Sequence, residues 1–169
     1  MATTLTESIR LAVAAALADN IKTVFRSLSL PDIPVEAVDH KSDPRRTDVL
    51  PRIFVATQGF ASTGERIGGE ATYEDRDYGI LIIHGVKSKT QQTNVVAWGN
   101  QVNDCICKVL EDQWDIAIAS LPDGKINQIR VLRGTVDPLA TQAESNLVHW
   151  GELEAVVQIT RQLQTHGGE

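Results

Sequence analysis

Aromatic residues are scarce in this chain, 5% of the total, and that scarcity argues against a surface that stacks on nucleic-acid bases. A surplus of positive charge is missing too. Sixteen Lys and Arg stand against 22 Asp and Glu, a formal net charge of −6, so the overall field repels phosphate backbones. Cysteine is limited to Cys105 and Cys107. Two positions apart in a helical pattern, they point in different directions, which argues against a mutual disulfide or a shared metal and predicts small core or boundary thiols. No apolar stretch reaches bilayer length: the Ala-rich run from Leu11 to Ala18 is too short, and Met1-Ala2-Thr3-Thr4-Leu5-Thr6-Glu7 carries no basic segment leading into an apolar one. Neither export nor membrane insertion is expected.

What is present suits one α+β domain spanning residues 1–169. The hydrophobic fraction of 42% beside 22% charged residues is that of an ordinary globular core, which needs no metal or disulfide to fold. The first element is a helix from Thr6 to Leu28. Thr4 and Glu7 have capping-box spacing, and Leu5, Ile9, Val13, Leu17, Ile21, Val24 and Leu28 recur at helical intervals until Pro31 and Pro34 end the run. Val35 to Val38 and Pro51 to Thr57 read as strands. Tyr73 to Val86 is polar first and then continuously apolar, as in a long strand that protrudes at one end and is buried at the other. A second helix runs from about Thr90 to Gln113, slightly weakened by Gly99. Leu121-Pro122-Asp123-Gly124 has turn chemistry, Ile126 to Val136 reads as a strand, and Leu147 to Thr160 closes the chain as another, with Gly151 marking a bulge. The order α-β-β-β-α-β-β predicts a mainly antiparallel sheet packed with two main helices. Flexible loops are expected at about 39–50 and 59–71, the latter too long and glycine-rich for a tight hairpin turn and removable from Phe60 to Gly69 without loss of folding. The C-terminal tail should fray.

Reactive chemistry is sparse. Gly59, Gly64, Gly68 and Gly69 match no phosphate-binding spacing, no nucleophile elbow appears, and His40, His84, His149 and His166 lack the helical spacing of a zinc site. His84 reads as a satisfied core or edge histidine rather than a buried base. Glu74-Asp75-Arg76-Asp77 could hold a cation or serve as acid and base, but a solvated face or an intersubunit ion-pair surface suits the protruding end of a strand better. Lys41, Arg45, Arg46 and Arg52 are the one basic concentration, read as a solvated loop or a contact for a phosphate or an acidic neighbour, with the acidic total arguing against a nucleic-acid groove. No catalytic, metal or cofactor-binding residues are assigned, and no enzyme activity is expected.

The helix Thr6 to Leu28, the strand Tyr78-Gly79-Ile80-Leu81-Ile82-Ile83-His84-Gly85-Val86, the helix segment Asn94-Val95-Val96-Ala97-Trp98-Gly99-Asn100-Gln101-Val102 and the closing strand Leu153 to Thr160 together resemble the tail-terminator or tail-completion proteins of long-tailed bacteriophages. The likeness lies in element order, size and hydrophobic rhythm over most of the chain. It implies a virion protein of the tail or neck, assembled in the bacterial host, that forms a homo-oligomeric ring of six. Such a ring caps the tail tube, stops its polymerisation and meets sheath, neck or head-completion proteins. A ring needs one patch to meet a different patch on the next copy. Tyr73, Arg76 and Tyr78 on the long strand are the expected contacts, because aromatics and arginine are enriched at interfaces, joined by Arg45, Arg46, Phe60, Arg66 and Ile67 from the two loops. Neither a membrane nor sequence-specific nucleic-acid binding is expected. Three other readings stay open: another neck or baseplate component, a small hydrolase using His84 with Asp75 or Asp77, and a regulatory or adaptor domain of the host cell.

Overall fold

A computed structural model of the chain describes residues 4–38, 50–68, 71–87, 92–113, 115–118, 121–136 and 148–163. Helix α1 spans Leu5–Ser27 and begins where expected: Thr4 is extended and its Oγ1 accepts the Glu7 N–H at 3.2 Å. Ile9, Val13, Leu17, Ile21 and Phe25 form its buried stripe, so the apolar row ends at Phe25, whereas Leu28 is exposed. The helix stops before Pro31. Ser29 takes a left-handed φ of 55°, its N–H donates to the Arg26 carbonyl at 3.1 Å, and the Leu30 N–H donates to the Phe25 carbonyl at 2.8 Å. That is a Schellman termination with serine where glycine is usual.

The remaining elements are β1 (Val35–Ala37), β2 (Arg52–Gly68), β3 (Ala71–Lys87), α2 (Gln92–Glu111), β4 (Ile116–Ile118), β5 (Leu121–Val136) and β6 (Val148–Leu163). They build a six-stranded sheet in the order β1-β2-β3-β6-β5-β4, antiparallel throughout except for the parallel β1–β2 pair. The expected α+β architecture is therefore present, with β4 as one additional short strand.

Three local expectations are overturned. The glycine-rich stretch 59–68, expected as a loop, continues β2 and pairs with β3 as far as Gly68 opposite Ala71. Two register shifts, between Thr57 and Gly59 and between Phe60 and Ser62, break its alternation, so the strand is invisible to a period-of-two reading. Leu121 to Gly124 belongs to β5 instead of a turn, with Leu121 paired to Ile118. Gly151 marks no bulge: β3 and β6 stay in unbroken register from Thr72 opposite Leu163 to Lys87 opposite Val148. The expected loop at 39–50 falls, up to residue 49, outside the described residues, as does the tail from 164.

Alternation on the central strands assigns the faces. Tyr78, Ile80, Ile82, His84 and Val86 of β3 share a face with Leu153, Ala155, Val157 and Ile159 of β6, and the apolar residues of this face join Ile9, Leu17, Phe25, Val102, Ile106 and Leu110 in one core. Both helices thus pack on the same side. Burying each such side chain contributes about 1.5–3 kcal/mol, which makes this layer the main source of stability. On the opposite face Phe54, Ile83, Val148 and Trp150 form a second, smaller cluster with Val38, Leu50 and Leu81 packed against it.

Candidate functional site

Strand and helix lengths differ in a way that exposes one end of the sheet. The 17 residues of β2 or β3 span about 56 Å at a strand's rise, whereas the 23 and 20 residues of α1 and α2 span about 35 and 30 Å. The helix-packed core includes Tyr78 to Val86 of β3 and reaches Ile159 of β6, which stands opposite Arg76, so the run from Ala71 to Asp75, with its partners on β2 and β6, continues past the last core residues of the central strands. This arm holds most of the residues singled out from sequence. Arg66 stands opposite Tyr73, which stands opposite Gln162; Thr63 stands opposite Arg76, which stands opposite Ile159; Phe60 stands opposite Tyr78. Arg66, Ile67 and Tyr73 are thus brought onto adjacent rows of one arm by backbone register, with Phe60 at its root opposite Tyr78. Arg76 is partly exposed. Tyr78 is 5% exposed and sits in the core at the root of the arm, so it supports this surface from within. Arg45 and Arg46 lie outside the described residues.

In the Glu74-Asp75-Arg76-Asp77 run, the carboxylates of Asp75 and Asp77 are engaged within the chain. Asp75 accepts a hydrogen bond from the Thr160 hydroxyl on β6, which itself accepts one from the Asn127 side-chain amide on β5. Asp77 lies 3.9 Å from the Arg130 guanidinium on β5. These contacts tie three strands together on the face away from the helices. Among the described residues no group of three or more His, Cys, Asp or Glu side chains is placed to hold a metal ion. No described helix is long and apolar enough to cross a membrane.

A different polar constellation, which sequence reading treated as separate residues, lies under α2. His84 and His149 are 0% and 2% exposed, their rings stacked with centroids 6.4 Å apart and planes 28° from parallel. His84 Nε2 is 3.1 Å from Asn103 Oδ1, while His84 Nδ1 and both ring nitrogens of His149 are buried with no hydrogen-bond partner among the described residues. Glycines make room for both rings. A methyl at Gly99 would stand 2.0 Å from His149 Nδ1, and one at Gly151 would stand 2.4 Å from His84 Nε2. Gly151 therefore serves close approach across the ladder, where a bulge was expected. Burial lowers His84 to about 4, against a partial lift from the Asn103 hydrogen bond and a further lowering from His149; burial likewise lowers His149. Both rings are neutral at pH 7.

A hydrolytic site built from His84 with Asp75 or Asp77 is not assembled. His84 faces the helices and both aspartates face the other side of the sheet, with His84 seven residues along β3 from Asp77, about 23 Å at strand rise. The thiols of Cys105 and Cys107 are free, and burial first, then nearby Asp104 (with Glu111 at Cys107), raises both above the ordinary range, which makes them poor nucleophiles.

No family model matches the sequence, and no curated protein matches it. Among solved structures, one chain of the "Virion of native gene transfer agent (GTA) particle" aligns over 88% of this chain and 98% of its own length, with 14% identity and a TM-score of 0.41.

Proposed function

We propose that this chain is a structural virion protein of the tail-terminator kind, acting as a six-membered ring that caps the tail tube, stops its growth and offers its other surface to neck or head. The observation that carries this reading is the arm: a multi-stranded extension of the sheet that outruns both helices by about 20 Å. Such an extension contributes little to the helix-covered core. It suits contact with a neighbour, because the arm is held in register by the same ladder that forms the core and reaches a partner without being reordered. The work required is surface complementarity: bound protein covers the tube end and replaces the face that the next tube ring would recognise. Tyr73, Arg76, Phe60, Arg66 and Ile67 are the arm's proposed contacts, with Tyr78 bracing them and Arg45 and Arg46 supplying a second contact.

The fold revises how this is tested. Excising 60–69 alone would leave chain ends about 30 Å apart, since the removed residues are one side of a hairpin. A balanced deletion of Gly64 to Asp75, joining Thr63 and Arg76 by a two-residue turn, keeps the remaining pairs in register. Native mass measurement and electron microscopy with tail tubes should show six-fold rings on tube ends for the wild type. The shortened chain should be folded by circular dichroism but fail to cap. Capping that survives the deletion removes the arm from the mechanism, and a wild type that neither rings nor caps removes the reading as a whole.

A further inference from the structure

We infer that His84 and His149 form an acid-operated latch between α2 and the sheet, in which the neutral rings seat the helix and protonation of either ring releases it. The inference is independent of the tail-terminator reading and rests on how the pair is enclosed.

The orientation of the rings explains why a proton cannot be accommodated in place. With its Nε2–H donated to Asn103 Oδ1, neutral His84 keeps a lone pair on Nδ1; a second proton would create an N–H that is buried with no acceptor among the described residues. His149 is worse placed, because neither nitrogen has a partner among the described residues and the cation would bury two donors that none of them satisfies. No counter-charge is aimed at the pair among the described residues. Helix α2 presents Gly99 and Asn103. Ile53 of β2 and Gly151 of β6 flank His84 in the ladder, Val86 of β3 flanks His149, and Leu153 and Gly134 follow on the same face. The charged neighbours in sequence are turned elsewhere: Glu152 and Lys87 alternate to the opposite face, and Asp104 is exposed on the outer side of α2. Two cations 6.4 Å apart would also repel each other. The depressed affinity of His84 for protons has the same origin, burial, and its sign follows: an opened state binds protons near pH 6.5 and the closed state only near 4, so opening is favoured as pH falls through that interval.

The part that yields is α2. His149 meets the helix at Gly99 and His84 meets it at Asn103, one glycine-sized gap and one hydrogen bond, whereas on the sheet side both belong to the unbroken β3–β6 ladder. Release bares Val95, Val102, Ile106 and Leu110, the helix's buried side.

Hydrogen exchange of the full chain, resolved by residue and corrected for intrinsic rates, tests this at pH 7 and pH 4.5. Amides of α2 should lose protection on the order of a hundredfold, with those of β3 from 80 to 86 and β6 from 151 to 157 changing far less. The variant His84→Gln/His149→Phe should flatten the response. Equal loss in helix and sheet, no loss, or the same loss in the double variant each overturns the latch. A second measurement does not depend on the variant folding: imidazole NMR titration of the wild type, in which either ring titrating near pH 6.5 while the protein is folded also overturns it.

Discussion

At the scale of single residues, the most informative position is Gly99. Glycine inside an exposed helix costs about 1 kcal/mol relative to alanine, so Gly99→Ala would ordinarily stabilise α2. Here the sign reverses, because the new methyl would stand 2.0 Å from His149 Nδ1, in a ring that is itself buried. Overpacking of this kind costs about 1–3 kcal/mol, and a net loss of about 1–2 kcal/mol should appear in urea unfolding of Gly99→Ala. The attribution is checked by coupling: in a His149→Ala background the same substitution should become neutral or stabilising, and a loss that persists there would exclude the ring as its cause. The sequence shows Gly99 and His149 plainly. Nothing in it shows that they touch, since 50 residues separate them and the contact exists only once α2 lies across β6.

At the scale of elements, the ends of α1 illustrate two degrees of legibility. The Thr4–Glu7 cap is readable from spacing and is present in the fold. Thr4→Ala should cost about 1 kcal/mol, seen as a lower thermal midpoint. The C-terminal end looked like the work of Pro31, yet the chain turns earlier, at Ser29 with its positive φ. Left-handed geometry costs a residue with a side chain about 1–2 kcal/mol, so Ser29→Gly should recover about 0.5–1 kcal/mol after glycine's greater freedom in the unfolded chain is counted. That raises the midpoint by about 1–4 °C, and an unchanged or lowered midpoint would show that serine is not strained there. The β2–β3 arm was the element least visible in sequence. Four glycines within 59–69 imitate a loop, and the two register shifts destroy alternation; what makes this stretch a strand is the ladder offered by β3, itself held by β6. Strand β4, three residues long, carried too little pattern to be seen at all.

At the scale of the whole molecule, stability should depend on acidity more steeply than the modest net charge suggests. His84 stays neutral in the folded chain down to about pH 4 but takes up a proton near 6.5 when unfolded, so stability is undiminished above 6.5 and falls as pH drops toward 4. The loss attributable to this ring is about 3 kcal/mol, measurable as a urea midpoint that drops between pH 7 and pH 4.5 and drops less in His84→Gln. The sequence by itself determined the α+β class, the two amphipathic helices and the central apolar strands, because these follow from local periodicity and from which side chains must leave water. Only the tertiary structure decided that 59–68 is an arm, that both helices cover one face, and that His84 and His149 share a buried seat. Those outcomes depend on strand pairing and on contacts between residues distant in the chain, and the free energy that fixes them is not present in any local segment.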